Sequence, residues 1–375
     1  MKNISKTKLL EIFNIGSRIE RINLARRKFM LQFAMGIILS KNVQFSAIAE
    51  HFPSDVELAS HIRRMERFFD DYKLDYKQIG ILLLCVLPPG RIHISIDRTN
   101  WKFGEQNINF LTITAYCKGV GIPLIFELLD KRGNSNTLER QKLLKKLFRI
   151  VPSKQISGFT ADREFIGKKW CKFLIINKIP FYIRIKSNTI VQIRGINFHA
   201  KDLAFSTRKR TIENVQIHGL KLHLATKKIG YEQDKEDQFL LILTNANVQK
   251  AISIYRNRWS IEVFFQSIKK RGFNLENTHL KNLEKLKKLF ALVCLAFASC
   301  FQVGVWKNDT KKPIRIRKNG YKINSFFRYD LDEIRKALLH FHAAPNLANN
   351  IFNFLAKRMT ENFQLCSTLN FILKL

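Results

Sequence analysis

The run Pro88-Pro89-Gly90 separates two sequence regimes, so the chain must join a helical segment to one built from strands and helices. Before it, apolar residues recur at helical spacing. After it, residues 91–97 alternate Ile92, Ile94 and Ile96 with His93, Ser95 and Asp97, the period of a strand with one face in a core. Two more strands are expected at 110–117 and 124–129, with Gly119-Val120-Gly121 between them. A helix at 137–150 and a strand at 159–162 follow. This pattern is α/β, and it places Asp97 and Asp162 at strand ends, where open α/β sheets build their sites.

Residues 190–193, 216–226 and 239–244 alternate again between polar clusters and look like a β-rich insertion. Helical spacing returns at 248–271, and residues 281–306 form a long apolar helix. Its part from 289 to 306 carries no formal charge, the lower length limit of a membrane span. Ser299, Gln302, Cys294 and Cys300 interrupt it, so a buried helix and no membrane attachment are expected. A basic stretch at 307–328, with Tyr321, Phe326 and Phe327 interleaved, precedes a helical tail at 331–375. The expected parts are a helical region at 1–88, a core at 89–187, an insertion at 188–245, the second part of the core at 246–306 and a basic, helical region at 307–375.

Charge narrows the function. Lys plus Arg total 65 against 30 for Asp plus Glu, a net +35 that points to a polyanionic partner, nucleic acid first. In the helical region Ser54 and Glu57 read as a capping box, and Leu58, Ile62, Met65 and Phe69 as the inner stripe of the helix it starts. Arg63, Arg64 and Arg67 fall away from that stripe. A short helix, a turn at Pro53 and an arginine-bearing second helix resemble a helix-turn-helix reader of DNA, although the same face also fits an ordinary solvated bundle. The six cysteines form no C-x-x-C pair, which fits a reducing compartment, and no amino-terminal apolar run marks export. His340 and His342 lack the further ligands a zinc site needs, and no phosphate-binding G-x-x-x-x-G-K-[ST] loop is present.

At about 100° per residue, Tyr255, Arg258, Glu262 and Lys269 project within about 60° of one another on one helix face. One carboxylate among three phosphate-seeking side chains departs from the usual i,i+4 alternation of sign, though such a face taken alone is more often solvated surface. Tyr255-x2-Arg258-x3-Glu262-x6-Lys269 resembles the Y-R-E-K signature of the DDE transposases of bacterial insertion sequences. Ile96-Asp97-Arg98-Thr99-Asn100-Trp101 and Thr160-Ala161-Asp162-Arg163-Glu164-Phe165 are similar to that family's first and second Asp boxes.

The resemblance implies an RNase H-like mixed-sheet core in which Asp97, Asp162 and Glu262 bind two Mg2+ ions, with Mn2+ able to substitute. The chemistry fits, since hard carboxylate oxygens suit such ions and two of them can clamp an in-line phosphoryl transfer. It implies a cut-and-paste transposase acting on transposon-end double-stranded DNA and target DNA, as a homodimer in the synaptic complex, in the cytoplasm at the nucleoid. Tyr255, Arg258 and Lys269 would hold phosphates. Trp259 could stack on an unpaired base or pack in a core, and Arg163 could meet a phosphate or lie near Glu164. An inactive, DNA-binding repressor and a structure-selective nuclease are the alternatives.

Overall fold

The computed structural model describes residues 23–52, 56–229, 238–310, 313–318, 323 and 325–339. Ser54, Tyr321, His340 and His342 lie outside them. The chain forms two compact units. The helical unit takes in residues 1–89, 101–108 and 263–375, and the α/β unit residues 90–100 and 109–262.

The helical unit begins with α1 (Leu24–Ser40), α2 (Phe45–Ala49), α3 (Leu58–Asp71) and α4 (Tyr76–Leu84). Aromatic packing sets the rotation of α3: Phe29 stacks on Phe68 at 4.3 Å, Phe33 lies 5.3 Å from Phe69, and Phe52 meets His61 edge-on. The buried residues of α3 are therefore His61, Met65, Phe68 and Phe69, while Leu58 is exposed. This corrects the expected stripe, because a histidine packed edge-on against phenylalanine takes an inner position in place of an aliphatic residue. The capping box also fails as the start of α3, since Glu57 is the N-cap and no side chain caps it. Arg63 and Arg67 are exposed, but Arg64 is partly buried with its guanidinium over the Phe29 ring at 5.4 Å. Burial, together with Arg67 and Arg26, holds the Arg64 pKa below its ordinary value.

The same unit contains the long apolar helix, Leu283–Thr310. Its most apolar 18-residue window is 83% buried, as in a core helix. Lys288 within it donates to the carbonyl of Phe69 at 2.7 Å, satisfying an otherwise orphaned acceptor at the end of α3. Phe326 and Phe327, on the final described helix (Phe326–Leu339), are buried and pack on Phe301 and Phe297 rather than standing among the basic residues as an exposed platform.

The α/β unit is built on a ten-stranded sheet. Its strands are β1 (Ile92–Phe103), β2 (Gln106–Cys117), β3 (Val120–Leu128), β4 (Ile156–Ala161), β5 (Phe181–Arg184), β6 (Ile190–Ile193), β7 (Ile196–His199), β8 (Arg210–Ile217), β9 (Leu220–Lys228) and β10 (Phe239–Thr244). Helices α5 (Thr137–Phe148) and α6 (Lys168–Ile176) connect the strands on either side of β4, and α7 (Ala251–Tyr255) and α8 (Trp259–Ile268) follow β10. The order across the sheet is β3-β2-β1-β4-β5-β10-β9-β8-β6-β7. β2 and β3 are antiparallel, whereas β1, β4 and β5 run parallel, which is the RNase H-like arrangement. β10 pairs antiparallel with both β5 and β9, so the strands between residues 190 and 244 continue the sheet.

Buried polar contacts fix the register of β1 on β4. Ser95 Oγ and His93 Nε2 lie 2.7 and 3.2 Å from Thr160 Oγ1. Gly158 leaves the room, since a Cβ there would stand 2.5 Å from His93 Nδ1. Burial pulls the His93 pKa down to about 4, so the ring stays neutral between the strands. Gly121 has a similar role beneath α8. A Cβ there would meet the Ser260 carbonyl oxygen at 2.9 Å and Ile261 Cα at 3.1 Å, so the first turn of α8 rests directly on the β3 backbone.

Gly121→Val is therefore expected to destabilise the protein by about 1–3 kcal/mol through overpacking. The shift in denaturant midpoint measures this, and an unchanged midpoint would mean that α8 does not bear on β3.

Candidate active site

The parallel register pairs Ile96 with Ala161, so the residues that follow, Asp97 and Asp162, leave adjacent strands side by side. Both carboxylates adopt the same local geometry. Asp97 Oδ1 accepts from the Arg98 amide and Asp162 Oδ1 from the Arg163 amide, each at 2.8 Å. These short turns leave the second oxygen of each group to point elsewhere. Glu262 comes from the first turn of α8, where the helix dipole favours an anion.

Arg258 connects these acids. Its Nη1 lies 3.2 Å from Asp97 Oδ2 and its Nη2 2.5 Å from Glu262 Oε1. Its side chain is 12% exposed, so both pairs are shielded from water. Burial works against the guanidinium's charge, but Tyr255, Asp162, Asp97 and Glu262 outweigh it and raise the pKa. Arg258 Nε is buried with no hydrogen-bond partner among the described residues. Tyr255 completes the group: its hydroxyl donates to Asp162 Oδ1 at 3.4 Å, and burial raises its pKa well above the ordinary tyrosine range.

The helix carrying these residues is not continuous. A 3-10 turn, Arg256–Arg258, separates α7 from α8, so a uniform projection across 248–271 does not describe it. Tyr255, Arg258 and Glu262 nevertheless meet around the two aspartates. Lys269 follows the end of α8 and belongs to the helical unit, where it pairs with Glu276 at 2.8 Å and lies 5.6 Å above the Trp101 ring. Arg63, Arg64 and Arg67 also belong to the helical unit. Trp259, at the start of α8, is 58% exposed, so of its two readings core packing is the one that fails.

Burial pushes the Asp97 carboxyl up to about 7, against the opposing pull of Arg258 and the Arg98 amide, and Glu164 and Asp162 add to the rise. Among the described residues no three Asp, Glu, His or Cys side chains are grouped closely enough to ring one metal ion. The acids instead share a guanidinium. Their donor chemistry suits a hard divalent cation, and such an ion would share the Asp97 and Glu262 carboxylates with the Arg258 guanidinium that now pairs with them.

Two residues beside the acids were not singled out from the sequence: Arg98 and Glu164, which pair with each other. Their signal was an opposite charge next to Asp97 in one box and close after Asp162 in the other. The sequence profile of the transposase DDE domain matches residues 88–298, more than half of the 375-residue chain. No protein of curated function matches the chain.

The raised Asp97 pKa has a definite consequence for stability. Between the ordinary carboxylate range, near 3.8, and about 7, the folded protein holds a proton that the unfolded chain has released. Stability contributed at low pH is therefore lost as pH rises through that window, by an amount on the order of a few kcal/mol. With chelator present, Asp97→Asn should flatten the fall in unfolding midpoint between pH 5 and pH 8. Parallel profiles for the two proteins would remove Asp97 as its source.

Proposed function

Since the chain belongs to the transposase DDE family, we propose that it moves an insertion sequence by a cut-and-paste route in which Asp97, Asp162 and Glu262 form the acidic centre. The observation that supports this assignment is the meeting of acids from two adjacent strand ends and a helix around Arg258, which bonds Asp97 and Glu262, and Tyr255, which bonds Asp162. The family works with divalent metals, and here Mg2+, in two ions and replaceable by Mn2+, would supply Lewis acidity at the scissile phosphate. Asp97, Asp162 and Glu262 hold the positive charge. Tyr255 and Arg258 orient the phosphate. Lys269 is assigned a phosphate contact on the strength of the Y-R-E-K signature.

In the first step water attacks phosphorus at the end of the element, the P–O3′ bond breaks, and a 3′-hydroxyl is released. That hydroxyl then attacks a phosphorus of the opposite strand, displacing the flanking 3′-oxygen; water cleaves the new P–O3′ bond, and the hydroxyl so freed attacks a target phosphorus, displacing a target 3′-oxygen. Positioning is the main demand, because one site must align several successive phosphates, and alignment can supply several kcal/mol of the barrier. Transposon-end and target DNA are the substrates, and a homodimer brings two ends together. Arg63 and Arg67, exposed on α3, are the preferred contacts to end DNA from the helical unit, with Arg64 acting partly through its packing on Phe29.

Cleavage of end DNA should require Mg2+ or Mn2+, and Asp97→Ala, Asp162→Ala or Glu262→Ala should each abolish it while gel-shift binding persists. A wild-type protein that binds ends without cutting them would indicate the repressor, and cutting without joining would indicate a nuclease. Arg258→Ala and Lys269→Ala should reduce nicking but depress strand transfer much further in a pre-formed complex. An equal loss in both steps would assign these side chains to general DNA affinity.

A further inference from the structure

The ladder between β1 and β4 ends at Ile96 and Ala161, immediately before the two aspartates. β1 continues beside β2 to Phe103, but the chain after β4 turns out of the sheet into a 3-10 turn, Arg163–Phe165. The strand pairing brings Asp97 and Asp162 side by side but stops one residue short of them. Side chains just beyond the ladder tie the two segments together. Arg98 Nε donates to Glu164 Oε1 at 2.8 Å and Arg98 Nη2 to Glu164 Oε2 at 2.6 Å, a bidentate pair across the gap.

Both ends of that pair are anchored. Arg98 Nη1 also donates to the Gly133 carbonyl at 2.6 Å and to Asn109 Oδ1 at 3.4 Å, and Nη2 to Asn134 Oδ1 at 2.7 Å. Asn109 is buried and in turn donates to the Lys131 and Gly133 carbonyls. The turn that bears Glu164 is held by Arg140, whose Nη2 donates to the Glu164 carbonyl at 2.9 Å and whose guanidinium lies 4.8 Å over the Phe165 ring. A guanidinium has five N–H donors, and all five of Arg98 are matched by acceptors. Arg258 differs on this point, since its Nε remains unpaired. Arg98 has no donor to offer a phosphate.

We propose that Arg98 and Glu164 are positioning residues that set the separation of Asp97 and Asp162, and hence the metal affinity and turnover of the site, without touching DNA. The inference rests on the proposed acidic centre. A lysine at 98 would keep the charge but lose the fork of donors that grips both carboxylate oxygens. Partners that orient metal-binding groups typically carry about 10–100-fold in metal affinity or activity.

Mn2+ binding, followed by the loss of the free-ion electron paramagnetic resonance signal, and end nicking should be measured for Arg98→Lys, Glu164→Gln and the double variant. Each single variant should weaken Mn2+ binding and slow nicking by about 10–100-fold, with metal-free gel-shift affinity for end DNA unchanged. The double variant should be no worse than the more affected single one, because both remove the same contact. Thermal midpoints confirm folding. If Glu164→Gln fails to fold, Arg98→Lys carries the test, as it retains the positive charge among its acceptors. Wild-type Mn2+ affinity and nicking in Arg98→Lys would overturn the proposal, as would a loss of DNA affinity with normal Mn2+ binding. If Mn2+ binding to the wild-type protein is absent or independent of Asp97, the acidic centre itself is misassigned, and the clamp falls with it.

Discussion

A cluster of acids at the end of a sheet can persist only if something offsets their mutual repulsion and their loss of water, and Arg258 does this here. Its two terminal nitrogens reach Asp97 and Glu262, and its charge acts on Asp162 as well. Burial alone pushes Asp97 toward its neutral form, and Arg258 is the largest influence in the other direction. Removing one partner from a buried ion network leaves charge without compensation, a far larger penalty than the network's net contribution to stability. The fold arranges the rest around this requirement. The parallel β1–β4 register presents the aspartates, and Gly121 lets α8 lie close enough to the sheet for Glu262 and Arg258 to reach them.

The surrounding arginines divide the work by how many of their donors are used. Arg98 and Arg140 are tied to carbonyls and side chains of the turn after β4 and the loop before α5, and they make that region rigid. Arg258 is tied to acids through its terminal nitrogens alone. Rigid outer supports around a less saturated inner cation suit the proposed reaction, in which the site stays in place while successive phosphates pass through it.

Much of this was legible in the sequence because strand alternation and strand-end acids are local signals. Residues 91–97, 110–117, 124–129 and 239–244 all lie in or largely in strands of the sheet. The failures have separate causes. Residues 216–226 read as one alternating run but hold two strands, because His218 and Gly219 both adopt positive φ and turn the chain in a tight hairpin. Glycine signals such a turn and histidine does not. β5 is buried at its first three positions and so shows no alternation, and α6, at nine residues, is too short for helical periodicity to stand out. The 3-10 turn at Arg256–Arg258 has no proline or glycine to mark it. Periodicity also could not reveal the Arg98–Glu164 pair, since its members are 66 positions apart and meet only once β1 and β4 are side by side.

The net charge of +35 and the acidic centre pull in opposite directions for a polyanionic substrate. A basic excess draws DNA toward the protein at long range, but unscreened carboxylates would repel the very phosphate that must approach them. Surface lysines cannot cancel that repulsion, because salt screens charges separated by more than about 8–10 Å. Compensation has to be local and buried, where screening is weak. Arg258 and Arg98, with side chains 12% and 14% exposed, meet both conditions. The excess of basic residues thus accounts for attraction to DNA as a class, whereas in the proposed reaction the approach of the phosphate depends on the few cations inside the site.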